Sequence, residues 1–452
     1  MPFHNNGVMA TAMLWLLLTS GAQGQFPAPA TDLPVDLPVG MIADDDIDTS
    51  MTDQPTIAVA SFLQTVAAPL DLSVRGRSSL LTQAFTSPER LAVGLDLYSA
   101  PDFANGVIVA GENIAMKIGG FVKADFIYDF APIDSTDSFV TTSIPVGAPP
   151  RTNARFHARQ TRLSFDTRWV SDEHTIRIFV EGDFFGDGNQ YRLRHAYGEV
   201  GSLLVGQTWT TFTDVASAPA TLDFEGSVSS VNRRQAQARW TQPLLGDDLT
   251  LALAIEDTQF NIEPPVGVTG DPRSQSPDFV GHLRLKTDLL RFQAAGLYRV
   301  VGFQPTGAEV LTRDAWGFNF AGSILLTERS KVYSQIVFGE GIGSYRGLPD
   351  AAPTAVDQGD LLPLFGWMVG YTQDWNDDLS SNLTYAENSL DNTAFQDPDD
   401  VHRTTYLAAN LIWSPLERVK VGIEYLYGTR ENVDRASAPA HRIQTAVIFD
   451  LP

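Results

Sequence analysis

Guanidinium groups dominate the chemistry open to this chain. Arginine outnumbers lysine 26 to 5, and a planar two-pronged guanidinium fits a carboxylate where an ammonium is a point charge. Carboxylate-bearing solutes are the expected cargo. Arg162, Arg177, Arg192, Arg194, Arg233, Arg234, Arg239, Arg291 and Lys123 are the candidate contacts. The same groups have a competing internal use, which is to pair with acids on their own wall or to brace a loop. Other chemistries are poorly represented. The chain has no cysteine, which removes disulfides, Cys-ligated metals and thiol nucleophiles together. No Gly-x-Ser-x-Gly or His-Glu-x-x-His occurs, and the seven histidines are scattered without ligand spacing. The expectation is a non-enzyme without cofactor or metal. A membrane-embedded hydrolase with a dispersed Ser/His pair stands as an alternative, and a closed structural barrel as another.

The segments that carry these cations alternate apolar and polar residues. From Ile114 to Phe130, Met116, Ile118, Val122, Ala124, Phe126, Tyr128 and Phe130 fall on one face, and Lys117, Lys123, Asp125 and Asp129 on the other. Val419, Val421, Ile423, Tyr425 and Tyr427 oppose Arg418, Lys420, Gly422 and Glu424 in the same way. Sixteen such segments run to Phe449. Their connections switch between short breaks, such as Gly201–Ser202 and Thr287–Asp288, and long Pro- and Gly-bearing stretches, such as Ala131–Asn153, Thr213–Asn232, Gly302–Thr312, Gly341–Leu362 and Thr429–Ala440. One face can meet lipid and the other cannot. An all-β transmembrane antiparallel barrel of 16 strands follows, with short periplasmic turns and longer outer loops. A soluble β-sandwich fits less well, because its connections lack this asymmetry. No run of 18 or more apolar residues lies past the N-terminus, and mean hydropathy is −0.07, as half-polar spanning strands require.

Three stretches divide the chain. Met9 to Leu18 is an apolar core of signal-peptide length, with Ala22-Gln23-Gly24 as a small-residue cleavage site, so residues 1–24 are expected to be a signal peptide, though its n-region lacks Lys and Arg. Residues 25–111 form a Pro-rich acidic extension, read as periplasmic, with a plug folded into the pore as the alternative. Residues 112–452 are the barrel.

Six motifs carry a family resemblance. Lys117-Ile118-Gly119-Gly120-Phe121-Val122-Lys123, Ala158 to Thr167 (ARQTRLSFDT), Glu181-Gly182-Asp183-Phe184-Phe185-Gly186, Leu193-Arg194-His195-Ala196-Tyr197-Gly198, Leu204-Val205-Gly206-Gln207-Thr208-Trp209 and Thr221-Leu222-Asp223-Phe224-Glu225-Gly226 resemble the DcaP family of outer-membrane porins. They cover about a quarter of the chain, in the first half of the barrel. The resemblance implies a homotrimeric 16-stranded channel of the bacterial outer membrane that takes up small anions, including dicarboxylates and aromatic acids. Lipid bilayer and lipopolysaccharide are the expected surroundings, and no nucleic-acid partner is expected. Two departures stand out. The family often carries a periplasmic coiled coil, whereas this Pro-rich stretch shows no heptad. The chain ends Phe449-Asp450-Leu451-Pro452 where barrels commonly end on an aromatic residue.

Charge sorted by face reverses the sign of the whole. The chain carries a formal −23, yet the polar faces of the clearest strands hold sixteen cations and seven carboxylates, leaving a lumen near +9. An Arg on the lipid face would cost about 2–4 kcal/mol near the midplane, which constrains the sorting. Thr250, Ala252, Ala254, Gln293, Ala295, Asn319 and Ala321 are expected to line an open pore. Strand two is ambiguous, because Arg162, Asp166 and Arg168 point inward while Arg155, His157 and Arg159 fall on the lipid side unless a bulge shifts the phase or that end stands above the membrane; a third reading puts them at a subunit boundary. Thr213–Asn232 is the stretch expected to fold inward. Its Asp214, Asp223 and Glu225 would then face Arg233, Arg239, Arg192 and Arg194 across the narrowest point, setting up a transverse field.

Overall fold

The computed structural model describes residues 107–110, 114–171, 174–246, 248–356 and 358–451. The expected signal peptide and nearly all of the expected extension lie outside the described residues. Sixteen strands close one antiparallel barrel. They are β1 (Ile114–Asp129), β2 (Asn153–His157 continued by Arg162–Ser171), β3 (His174–Asp183), β4 (Arg192–Val200), β5 (Leu203–Trp209), β6 (Arg234–Leu245), β7 (Leu249–Glu256) and β8 (Asp278–Lys286). The second half comprises β9 (Leu290–Pro305), β10 (Leu311–Thr327), β11 (Ser330–Glu340), β12 (Pro363–Asp374), β13 (Leu379–Leu390), β14 (Val401–Leu416), β15 (Val419–Asn432) and β16 (Ser437–Asp450). Each strand pairs with its sequence neighbours, and β16 closes on β1 from Phe121↔Asp450 to Asp129↔Arg442. The lower edge of β1 would be left open below that seam. A four-residue strand, Val107–Ala110, covers it by pairing with Ala115–Ile118, so barrel pairing starts before residue 112. Covering that edge satisfies backbone groups that lipid cannot.

Faces follow the expected alternation. Val122, Phe126, Phe130, Phe165, Trp169, Ile178, Leu253, Ile255, Trp316, Phe318, Phe320, Ile423 and Tyr425 are exposed outward. In β2 a bulge resolves the ambiguity, since four residues, 158–161, oppose three of β1 between Asp125↔His157 and Phe121↔Arg162. The extra residue flips the phase. Arg155 and His157 therefore share the inward face with Ile127 and Asp125, and Arg155 pairs with Asp137 of the β1–β2 loop. Two long connections are shorter than the sequence implies, because β9 and β10 stay paired to Phe303↔Leu311 and β15 and β16 to Glu431↔Ser437.

The lumen is not an open polar tube. Three connections fold into it: 130–152, 210–233 and 341–362. Phe212 and Val231 of the second join Ile342, Tyr345 and Leu348 of the third against Val280, Ala295, Leu297, Val337, Leu364 and Leu390 of the wall. Ile133, Phe139 and Ile144 of the first join Val228 of the second against Tyr333, Met368, Ala386, Tyr406, Ala408, Leu426 and Ala440. The wall from β8 to β16 is thus apolar inside where loops lie on it. Ala252, Gln293, Ala295, Asn319 and Ala321 are buried, which corrects the expectation that they line an open pore. Small residues there admit bulky neighbours, as where Tyr333 lies over Gly370, its opposite in register, and its hydroxyl donates to Asn382 at 2.9 Å. A side chain at 370 would run into that ring. Gly370→Val should cost about 1–3 kcal/mol by overpacking, read as a lower temperature for loss of the compact band in heat-modifiability gels.

Outside the wall, Glu263 joins three outer connections. Its N–H donates to Ala351 O at 3.0 Å and its carboxylate accepts from Gln396 at 2.8 Å. Burial, with Asp400 adding like charge, pushes its carboxyl from 4.5 up to about 7. The junction holds the proton that an opened loop would lose. It is strongest below pH 4.5, weakens as pH climbs towards 7 and is weakest above that. Cleavage of these loops by added protease should be faster at pH 8 than at pH 5 in the wild type, and Glu263→Gln should flatten the dependence.

Candidate functional site

The inward loop 210–233 crosses the barrel, and the wall holds it by its backbone. Glu256 accepts from Thr211 N at 2.7 Å, Asn319 donates to Phe212 O at 2.7 Å, and Asn410 donates to Ala220 O at 2.7 Å. Glu424 on β15 accepts from the N–H groups of Leu222 and Asp223 at 3.0 and 2.8 Å. Lys123 and Gln444 donate to Leu222 O, and Gln335 to Ser229 O. Asp223 accepts from Phe139 N, tying the loop to the one above it. Arg346 of 341–362 donates to Ser227 O, Val228 O and Asn232.

The wall from β2 to β4 carries guanidiniums that are already engaged. Asp183 binds Arg192 at 3.0 Å and Arg194 at 2.9 Å, and Glu181 binds Arg194 at 3.0 Å. Arg177 reaches Asp166 at 2.8 Å. Arg162 is buried over the Phe121 ring with Glu181 at 3.8 Å, and its Nε and Nη2 find no partner among the described residues. Lys123, bonded to Gln160, Leu222 O and Asp125, braces the inward loop. Of the sorted lumen cations beyond these candidates, Arg299 is fully buried between Asp278 and Asp350, and Arg442 on Asp129.

The candidates do not converge on one point. Arg192 stands at the long-loop end of β4 opposite Asp183, and Arg233 lies beyond β6 against Gln259 and the Tyr345 ring. Arg234 stacks 4.6 Å over Trp209 and alternates with Gln235, Gln237 and Arg239, which puts it on the pleat face of Ala236, Ala238 and Trp240. Arg239 sits five residues further towards the short-turn end, opposite Leu204. There it helps to line a cavity of about 440 Å³ beneath the inward loop, together with Arg284, Lys286, Arg291, Lys331, His282 and Thr372. Thr213, Asp214, Val215 and Ala220 of the loop form its roof. The side chains of Arg239 and Arg291 make no hydrogen bond or ion pair among the described residues. Among the described residues, the Arg284 side chain hydrogen-bonds only Gln293. The cavity is therefore basic, with Asp214 as the acid in its lining. Lys331 was not among the sequence candidates, although it stands on the inward face two residues before Tyr333, which period two would find.

A closed barrel narrowed by an inward loop over a basic chamber is the architecture of an outer-membrane porin, and the family model of the DcaP outer membrane protein matches residues 88–447. The chain belongs to the DcaP family. Among solved structures, the outer membrane channel DcaP of Acinetobacter baumannii superposes with a TM-score of 0.68 at 20% identity, covering 77% of this chain and 100% of that one. The anion-selective porin from Comamonas acidovorans superposes at 0.51 with 10% identity, covering 75% of this chain and 100% of that one. OmpF of Salmonella typhi, solved with daunomycin, does so at 0.52 with 10% identity, covering 76% and 100%. At these identities the superpositions speak for the fold. No curated protein matches the chain. This DcaP-family member is a channel-type barrel of the bacterial outer membrane, and its loop-filled lumen holds two sets of cations, one engaged with acids and one lining open space.

Removing Asp183 should separate those sets. Asp183→Asn leaves two guanidiniums without their shared carboxylate, one of them fully buried, and breaking such a pair costs about 3–5 kcal/mol. Arg239→Ser breaks no side-chain ion pair among the described residues and should cost less, about 1 kcal/mol, as an ordinary substitution does. Heat-modifiability midpoints of the two variants test the contrast.

Proposed function

We propose that this porin passes small anionic solutes, with dicarboxylates or aromatic acids as the cargo, through its Arg-rich lumen. The observation that carries the reading is the chamber under the inward loop, where Arg239, Arg284, Lys286, Arg291 and Lys331 line one cavity against the single carboxylate of Asp214 in its lining. An ion meets that chamber rather than the chain's −23, much of which lies in the outer loops and the N-terminal stretch. A carboxylate entering it exchanges part of its hydration for guanidinium hydrogen bonds, worth about 1.5–3 kcal/mol each before desolvation is subtracted. That concentrates a solute without trapping it, as flux requires. Assembly as a homotrimer and contact with lipopolysaccharide at the outer leaflet belong to the same reading.

Arg239 and Arg291 are the pair to replace, because Arg233 is held by Gln259 and lies outside the lining of this chamber. Reversal potentials across a salt gradient should show anion preference in the wild type, and Arg239→Ser with Arg291→Ser should reduce it at equal folded yield. Dicarboxylate affinity, read from current block, should fall roughly tenfold, about 1.4 kcal/mol. Cation preference in the wild type would refute the reading. A barrel with no conductance at all would be the closed scaffold instead.

A further inference from the structure

Two of the sequence motifs meet inside the barrel. Glu181 to Gly186 ends β3 and enters its turn, while Thr221 to Gly226 is the tip of the inward loop. Phe185 of the first and Phe224 of the second stack face to face, with ring centroids 3.7 Å apart and planes 16° from parallel. Three guanidiniums surround the pair. Arg159 lies 4.9 Å over Phe185, Arg192 is 5.7 and 5.6 Å from the two rings, and Arg194 is 6.0 Å from Phe224.

Both rings are held from behind. Phe185 N donates to Asp183 at 3.1 Å, and Arg159 Nη2 donates to Phe185 O at 3.0 Å. Phe224 follows Asp223, whose N–H is fixed on Glu424 and whose carboxylate caps Phe139 N and Gly226 N. Gly226, two residues beyond, has φ 72°, a conformation in which glycine turns the chain away without strain.

Solvation along this wall locates the consequence. The Arg192 side chain, at the long-loop end, is 26% exposed, and Arg177, towards the short-turn end, is 28% exposed. Between them Arg194 is 0% and Arg162 7% exposed, and Phe224 is buried. The guanidinium row is wet at both ends and dry in the middle, where the stack spans from loop to wall.

We propose that Phe185 and Phe224 form the closing contact of this pore, and that parting of the stack sets the size limit on what crosses. A solute moving down the basic wall has to separate two rings that no covalent or ionic bond joins. The aromatic contact itself is worth about 0.5–1.5 kcal/mol beyond its buried area, an amount that thermal motion and a solute can supply.

The inference rests on the channel reading but not on the sign of selectivity, so the two fail separately: reversal potential reports selectivity, whereas conductance and the passage of neutral solutes report the stack. Phe224→Ala should raise single-channel conductance about twofold or more and admit larger neutral sugars in liposome swelling, at unchanged trimer yield. Phe185→Ala should do the same, and the double variant should add little, because either change opens the same contact. The natural chain has no cysteine. Phe224→Cys should therefore open the pore, and its reaction with benzyl methanethiosulfonate, which restores a ring, should close it again. Wild-type conductance and sugar limit in both alanine variants, at normal folded yield, would overturn the proposal. So would an open cysteine variant that the benzyl reagent leaves open. Should Phe224→Ala not fold, the half-buried Phe185 carries the test.

Discussion

Backbone folded into a wide barrel must find partners on the barrel's wall. A buried N–H or C=O without one costs free energy comparable to a lost hydrogen bond, and the 24 residues of 210–233 bring many such groups inside. The wall answers with side chains of the right length and polarity. Glu424, Asn410, Asn319, Gln335, Gln444 and Lys123 all reach main-chain atoms of the loop. Position along each strand, rather than charge alone, decides what these residues do.

The same constraint divides the lumen cations. Where loops lie on the wall water is excluded, and a guanidinium left there must bring its own counter-charge, as Arg299 does with Asp278 and Arg442 with Asp129. Where the loop arches away from the wall, water returns and supplies that solvation instead. Arg239 and Arg291 stand in the latter region. A count of lumen cations therefore overstates what a solute feels, since many of them are paired within the protein and others gather below the loop.

How much of this was legible from the residues varies with distance along the chain. Period two is local, so most strands, faces and turns followed from sequence, whereas the face of Arg155 and His157 stayed open until the pairing of β2 showed the extra residue. The role of each cation is not local. Glu424 meets Leu222 and Arg442 meets Asp129 only because the sheet closes on itself and the loop crosses it. Nothing in the neighbouring residues marks Arg194 as spent and Arg239 as available. Alternation also cannot tell a small residue that lines water from one that lies under a loop, which is why Ala295 and Asn319 were misread. Arg234 illustrates the limit at a strand end, where a run of two arginines puts one on each face.

The loop's fixation and the stack are consequences of one design. A segment tethered by backbone hydrogen bonds along most of its length cannot swing as a body, so any opening must be confined to side chains at its tip. Ionic contacts would serve poorly there: the nearby carboxylates already hold Arg192 and Arg194, and a charge pair across the opening would compete with a charged solute. An aromatic pair has no such competition, since its attraction is weak, non-ionic and indifferent to salt. Surrounding guanidiniums hold the rings by their faces and, once the rings part, present the same faces and donors to whatever comes between them.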